Sequence, residues 1–128
     1  MTNFSAIIAI GIASALGALI RWWLGLAMNA IFPIIPLGTL AANLLGGFLM
    51  GAFMGLMKSH VIIPETLSLA ITTGFLGGLT TFSTFSAETV TLISHHEYLW
   101  TAVIVFGHVA GSILATIFGI YTIALLSV

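Results

Sequence analysis

The stretch GFLGGLTTFSTFSAET, Gly74 to Thr89, decides how this chain folds. Gly74, Gly77 and Gly78 followed by Thr80 and Thr81 make a poor interior for a continuous helix. Yet they fall near the middle of an apolar segment running from about Val61 to Ser94, too long for one straight crossing of a bilayer. The pattern predicts a broken helix, one half from about Pro64 to Leu76 and another from about Thr81 to Ser94. In lipid, unwound backbone survives only where protein or a water-filled cavity covers it. Carbonyls freed at such a break are ready ligands for a hard cation. A helix starting near Thr80 and Thr81 presents N–H groups and a positive dipole end. A glycine-rich kink that serves only packing is the plainer alternative.

Outward from this stretch, composition sets the solvent. Of 128 residues, 60% are apolar and only 4% are charged, where a soluble domain carries roughly 25% charged residues. Mean hydropathy is +1.27. Five charged side chains cannot clothe a water-facing surface. These values exclude a soluble domain, a disordered chain and a highly charged nucleic-acid binder. The expected environment is a lipid bilayer, with no nucleic-acid partner. Zero cysteines exclude disulfides, zinc–thiolate sites and thiol chemistry. Fourteen glycines in so apolar a chain suggest helices packed closely on one another.

A crossing helix needs about 20 mostly apolar residues. Breaks in apolar character give four such stretches: about Phe4 to Ile31, Leu37 to Met57, Val61 to Ser94, and Tyr98 to Leu126. The first has no basic leading region and no cleavage pattern after it, so it reads as a mature helix rather than a signal peptide. Residues 1–128 read as a single four-helix transmembrane domain. Tyr98 and Trp100 sit where interfacial aromatic anchors belong, as do Trp22 and Trp23 if that end is tilted.

The polar residues inside these stretches carry the chemistry. Ser14, Gly17, Ala18, Arg21 and Gly25 fall on one helical stripe that should face other helices. Arg21 either snorkels to the headgroups or places a positive charge at the mouth of an aqueous vestibule. Gly47, Gly51 and Gly55 recur every fourth residue, and Asn43 continues that stripe. Its amide makes an interhelical bond, donates into a pore, or does both, since it has two N–H donors. Phe82 and Phe85 share a face of the second half-helix. Ser83, Thr84 and Ser86 surround them with hydroxyls, which is unusual for a lipid-facing surface. Phenyl rings have positive edges, so two edges together can meet an anion. Glu88 continues that face as an acid buried by position, able to bond a neighbouring helix or pair with Arg21. His108, Ser112 and Thr116 are four apart and form one polar stripe, either a run of interhelical bonds or a track on which an ion sheds water in stages. His95, His96 and Glu97 point apart on a helix and make a weak metal motif. No catalytic motif is present, so enzyme activity is not expected.

Orientation follows Lys and Arg in short loops. This chain has one of each, Lys58 in a connection and Arg21 within a helix. A bias so close to nil fits either another insertion cue or dual topology, with copies inserted both ways up. An antiparallel homodimer follows naturally from the latter.

Three motifs now bear on family: GALIRW (Gly17 to Trp22), GTLAANLLGGF (Gly38 to Phe48) and GFLGGLTTFSTFS (Gly74 to Ser86). In order, spacing and length they resemble the Fluc/CrcB fluoride channels over almost the whole chain. The resemblance implies a bacterial inner-membrane protein forming an antiparallel, dual-topology dimer, with two fluoride pores and a central structural sodium ion (Na+). It implies that the carbonyls of Gly77 and Thr80 hold the sodium, two subunits supplying four oxygens. It implies an anion pathway along Phe82, Phe85, Asn43, Ser83, Thr84, His108 and Ser112, with Arg21 in the vestibule. A tyrosine that some members carry on the fourth helix is replaced here by Ile104.

These residue types suit fluoride, which is small, strongly hydrated and only an acceptor. Stripping its water without compensation costs on the order of tens of kcal/mol in a low-dielectric medium. Amide, hydroxyl and ring-edge groups supply positive partial charge without a full charge that would trap the ion. The expected activity is passive, selective export of fluoride from the cytoplasm. A small dual-topology multidrug or cation exporter is the alternative. Proton-coupled exchange of that kind wants a carboxylate in the first helix, and no Asp or Glu precedes Glu65.

Overall fold

The computed structural model describes residues 3–127, all of whose regular elements are helical. Helix α1 covers Phe4–Met28, α2 covers Leu37–Lys58 and α6 covers Tyr98–Leu126. Each of these three is long and apolar enough to cross a membrane. Between α2 and α6 lies the interrupted segment. It runs through α3 (Glu65–Leu69), a π-helical stretch (Ala70–Leu76) and α4 (Gly77–Leu79), and resumes as α5 (Phe82–Ser94).

Local chemistry explains the ends. Asn3 caps α1 by accepting from Ser5 N–H at 3.1 Å. The helix stops at Met28, earlier than the apolar run to Ile31 suggests, because Asn29 and the prolines beyond it turn the chain. The Asn29 carboxamide oxygen then accepts from Gly38 N–H at 2.8 Å, so the residue that ends α1 also satisfies a free donor in the first turn of α2.

The break falls later than the glycines suggest. The helical path continues through Gly77 and Gly78 to Leu79, and only Thr80 (φ −88°, ψ 155°) and Thr81 (φ −149°, ψ 122°) are extended. Packing on α1 keeps the glycines helical. A Cβ on Gly78 would run into the Ser14 backbone, and one on Gly17 into the Phe75 carbonyl, so helix formation here depends on the absence of side chains. At Thr80 the side-chain hydroxyl and the backbone N–H both donate to Leu76 O, at 2.8 and 3.0 Å, and close the first half. Thr81 Oγ1 accepts from Thr84 N–H at 3.1 Å and opens α5 as an N-cap.

Helix α2 lies along α6, while α1 lies along the π-helical stretch and α4. The first contact relies on Gly51 and Gly119, where a Cβ would meet the Thr116 and Phe48 carbonyls respectively. Thr116 Oγ1 donates to Gly47 O at 2.9 Å across this seam. One apolar cluster joins Ala42, Leu76 and Leu79. A second joins Ile35, Phe85, Leu92 and Ile104, with Phe32 and Trp100 against it. Trp100 therefore packs edge-on to Phe32, centroids 5.3 Å apart, rather than standing free as an interfacial anchor. Trp22, Trp23 and Tyr98 are exposed, as an aromatic belt requires.

Candidate functional site

The site grows from the two extended residues. In an unbroken helix, Thr81 N–H would bond the carbonyl four residues back, on Gly77. It donates instead to Asn43 Oδ1 of α2 at 2.8 Å, and Asn43 Nδ2 returns a bond to Thr81 O at 3.0 Å. One side chain thus satisfies both backbone polar groups of Thr81, which is how non-helical backbone survives here. The same Nδ2 lies 2.9 Å from His108 Nδ1 on α6. Gly77 O loses its helical donor, and the extended Thr80 turns its own carbonyl out of the helical array.

An open groove of about 490 Å³ runs past this point. Its walls bring together Asn43, Gly77, Thr80, Phe82, Phe85, His108 and Ser112 from four separate elements. The Phe82 and Phe85 rings meet edge to face with centroids 5.6 Å apart. Their surroundings differ sharply: Phe85 is 8% exposed and Phe82 is 76% exposed. The Phe85 ring also lies against the His108 ring, centroids 4.5 Å apart and tilted by 31°. Thr72 and Thr116 line the groove as well. Thr116, the far end of the α6 polar stripe, also donates to Ser112 O at 3.0 Å, so its hydroxyl serves the helix contact.

Arg21 stands outside this groove. Its Nε donates to Gly78 O at 3.0 Å, which puts a cation on a carbonyl at the C-terminal end of the Glu65–Leu79 helical run. With Thr39, Thr81 and Thr84 it lines a neighbouring cleft of about 270 Å³. Thr81 borders both the groove and this cleft. Ser83 is exposed, 3.4 Å from Thr81 Oγ1. Glu88 does not take Arg21 as its partner: its Oε1 accepts from Thr39 Oγ1 at 2.5 Å, and Oε2 is buried without a hydrogen bond. Thr39 lies within GTLAANLLGGF, where the sequence reading gives it no role. The signal for it was spacing, since Thr39 stands one helical turn before Asn43 and shares its face.

Residues 8–120 match the family described as CrcB-like protein, Camphor Resistance (CrcB). The chain is 55% identical to a protein of Nitrosospira multiformis named fluoride-specific ion channel FluC, over 92% of each sequence. Proteins of the same name from Aromatoleum aromaticum and Thiobacillus denitrificans are 54% and 46% identical, over 88% and 95% of this chain and 86% and 98% of theirs. These matches, with three helices able to cross a bilayer, make the chain a multi-pass membrane protein that belongs to the CrcB family.

Proposed function

We propose that this protein is a fluoride-selective channel that lets the ion leave the bacterial cytoplasm passively across the inner membrane, with no catalytic step. One observation supports it above the rest: the helix break at Thr80–Thr81 opens onto a groove where Phe82, Phe85, Asn43, His108 and Ser112 converge. The names carried by its relatives agree. The segment Glu65–Ser94 then serves as the fourth crossing, its two halves meeting within the bilayer. Extended backbone is tolerated there because Asn43 satisfies Thr81 at both ends.

Fluoride would shed water against the Ser112 hydroxyl and pass the paired phenyl edges. Arg21, beside Thr84 in the adjoining cleft, raises the local concentration of anions before they enter. No full charge lines the groove, so binding stays weak enough for release. A larger halide fits the space beside Phe85 less well.

The working unit would be an antiparallel pair of chains. The nearly absent Lys and Arg bias permits both insertions. Gly77 and Phe82 are exposed in the single chain although both border the groove, and a second copy would cover them. The carbonyl oxygens of Gly77 and Thr80 suit a sodium ion: they are hard neutral donors, and Gly77 O has lost the N–H of Thr81 to Asn43. Bound there, sodium would add fixed positive potential and join the two chains.

Purified protein in liposomes tests the activity directly. Fluoride efflux, with potassium balanced by an ionophore, should be rapid while chloride efflux stays at the background of empty vesicles. Equal rates for the two halides would refute selectivity.

A further inference from the structure

Both protons of the Asn43 amide are committed within the chain, which moves the free donor at this point of the groove onto another residue. The amide cannot be turned around. Thr81 N–H can only donate and Thr81 O can only accept, so Oδ1 must face the former and Nδ2 the latter. One Nδ2 proton goes to Thr81 O. The other is directed at His108 Nδ1, 2.9 Å away. Because Nδ2 is solely a donor, Nδ1 must be an acceptor and carries no proton. The imidazole is then neutral, with its hydrogen on Nε2. That Nε2 is buried and has no hydrogen-bond partner, in a side chain only 4% exposed that borders the groove. An unpartnered buried N–H is rare and unfavourable, and calls for an acceptor. The Phe85 ring lies against one side of the imidazole, tilted to it by 31°.

We propose that Asn43, pinned by the Thr81 backbone, is a positioning residue: it locks His108, which the family resemblance already puts on the anion pathway, in its Nε2–H tautomer, so that the ring meets fluoride with one uncharged N–H. The assignment rests on the channel function above and names a specific atom within it. It also gives the break in the third segment a second use. The extended Thr81 both frees carbonyls and, through Asn43, orients a donor on α6. An imidazolium at this place would hold an anion too strongly for rapid exit, whereas a neutral ring presents one directed N–H. Fluoride, the most basic and smallest halide, gains most from such a donor.

The test is ¹⁵N NMR of histidine-labelled protein in lipid bilayers. His60, His95 and His96 are exposed and are first replaced (His60→Asn, His95→Gln, His96→Asn) so that His108 alone reports. Asparagine suits the positive φ of His60 and His96, 62° and 59°. At neutral pH the expected spectrum has an unprotonated Nδ1 and a protonated Nε2. Sodium fluoride should shift the Nε2–H signal saturably, and sodium chloride at the same concentration should not. Asn43→Asp, which has no N–H to offer, should move a proton onto Nδ1. His108→Phe keeps the ring packed on Phe85 without either nitrogen and should lower fluoride flux at least tenfold. A protonated Nδ1 in the parent protein would overturn the tautomer. Intact flux with an Nε2 signal indifferent to fluoride, or undiminished flux in His108→Phe, would overturn the donor role alone. A parent protein without fluoride flux, its Nε2–H in place, would overturn the channel function and the donor role together.

Discussion

Asn43 shows how much one side chain can hold. It satisfies the N–H and the carbonyl of Thr81 and meets His108, so α2, the break and α6 converge on a single amide. Composition and spacing identify it as polar and inward facing, but only the coordinates reveal that neither proton is left over. The phenylalanines divide in a similar way. Phe85 is buried against His108 and Phe82 is open, though three residues apart on one helix they read alike. An edge-to-face aromatic contact contributes about 0.5–1.5 kcal/mol beyond its buried area. Phe82→Ile and Phe85→Ile should each slow fluoride efflux, by roughly tenfold if the lost stabilisation is felt at the barrier. The Phe85 change should also lower thermal stability more than the Phe82 change, because both lose the ring contact but only Phe85 is buried. Unchanged efflux in both variants would remove the ring edges from the permeation path.

At the level of elements, the interrupted segment depends on neighbours on two sides. Toward α1 it presents Gly74 and Gly78 four residues apart, and the Ser14 hydroxyl donates to Gly74 O at 3.2 Å. Toward the groove it presents Thr72, Leu76, Gly77 and Thr80. The π-helical stretch over Ala70–Leu76 was not legible in the sequence, because its wider turn reflects packing and not the intrinsic preference of AITTGFL. Gly78→Ala should cost about 1–3 kcal/mol, the usual penalty for overpacking, since the added methyl meets backbone that has no rotamer to change. Gly11→Ala, where a Cβ finds open space inside α1, serves as the control and should keep or raise the melting temperature, since alanine favours a helix interior. Equal stability of the two variants would show that α1 does not hold the segment this closely.

For the whole molecule, charge and exposure point beyond a single chain. Arg21 is tied to Gly78 O and Lys58 ends α2 instead of lying in the connection, so neither Lys nor Arg sits in a loop. Two or three lysines added at one terminus should trap one orientation. Fluoride flux should then fall, and co-expression with an oppositely trapped chain should restore it. Full flux from the trapped chain alone would exclude an antiparallel pair. Purification with a large organic cation in place of sodium should lower flux and weaken the dimer on a sizing column, with recovery when sodium returns. Indifference to the exchange would count against the Gly77 and Thr80 carbonyls as a cation site.

Sequence alone determined the solvent, the helical class and the run of the chain in which helix would fail. Those depend on composition and short-range periodicity, which 60% apolar residues and a glycine–threonine cluster state openly. It also marked nearly all the groove-lining polar residues, because lipid leaves few polar side chains without a task. Tertiary structure decided where the helix yields. Thr80 and Thr81 unwind, and the glycines do not, because α1 clamps Gly78 and because Asn43, 38 residues away, takes the Thr81 amide. It decided as well that Glu88 bonds Thr39 and that Arg21 closes a helix end. A hydrogen-bond partner is a matter of position in space, and no local pattern encodes which distant group arrives first.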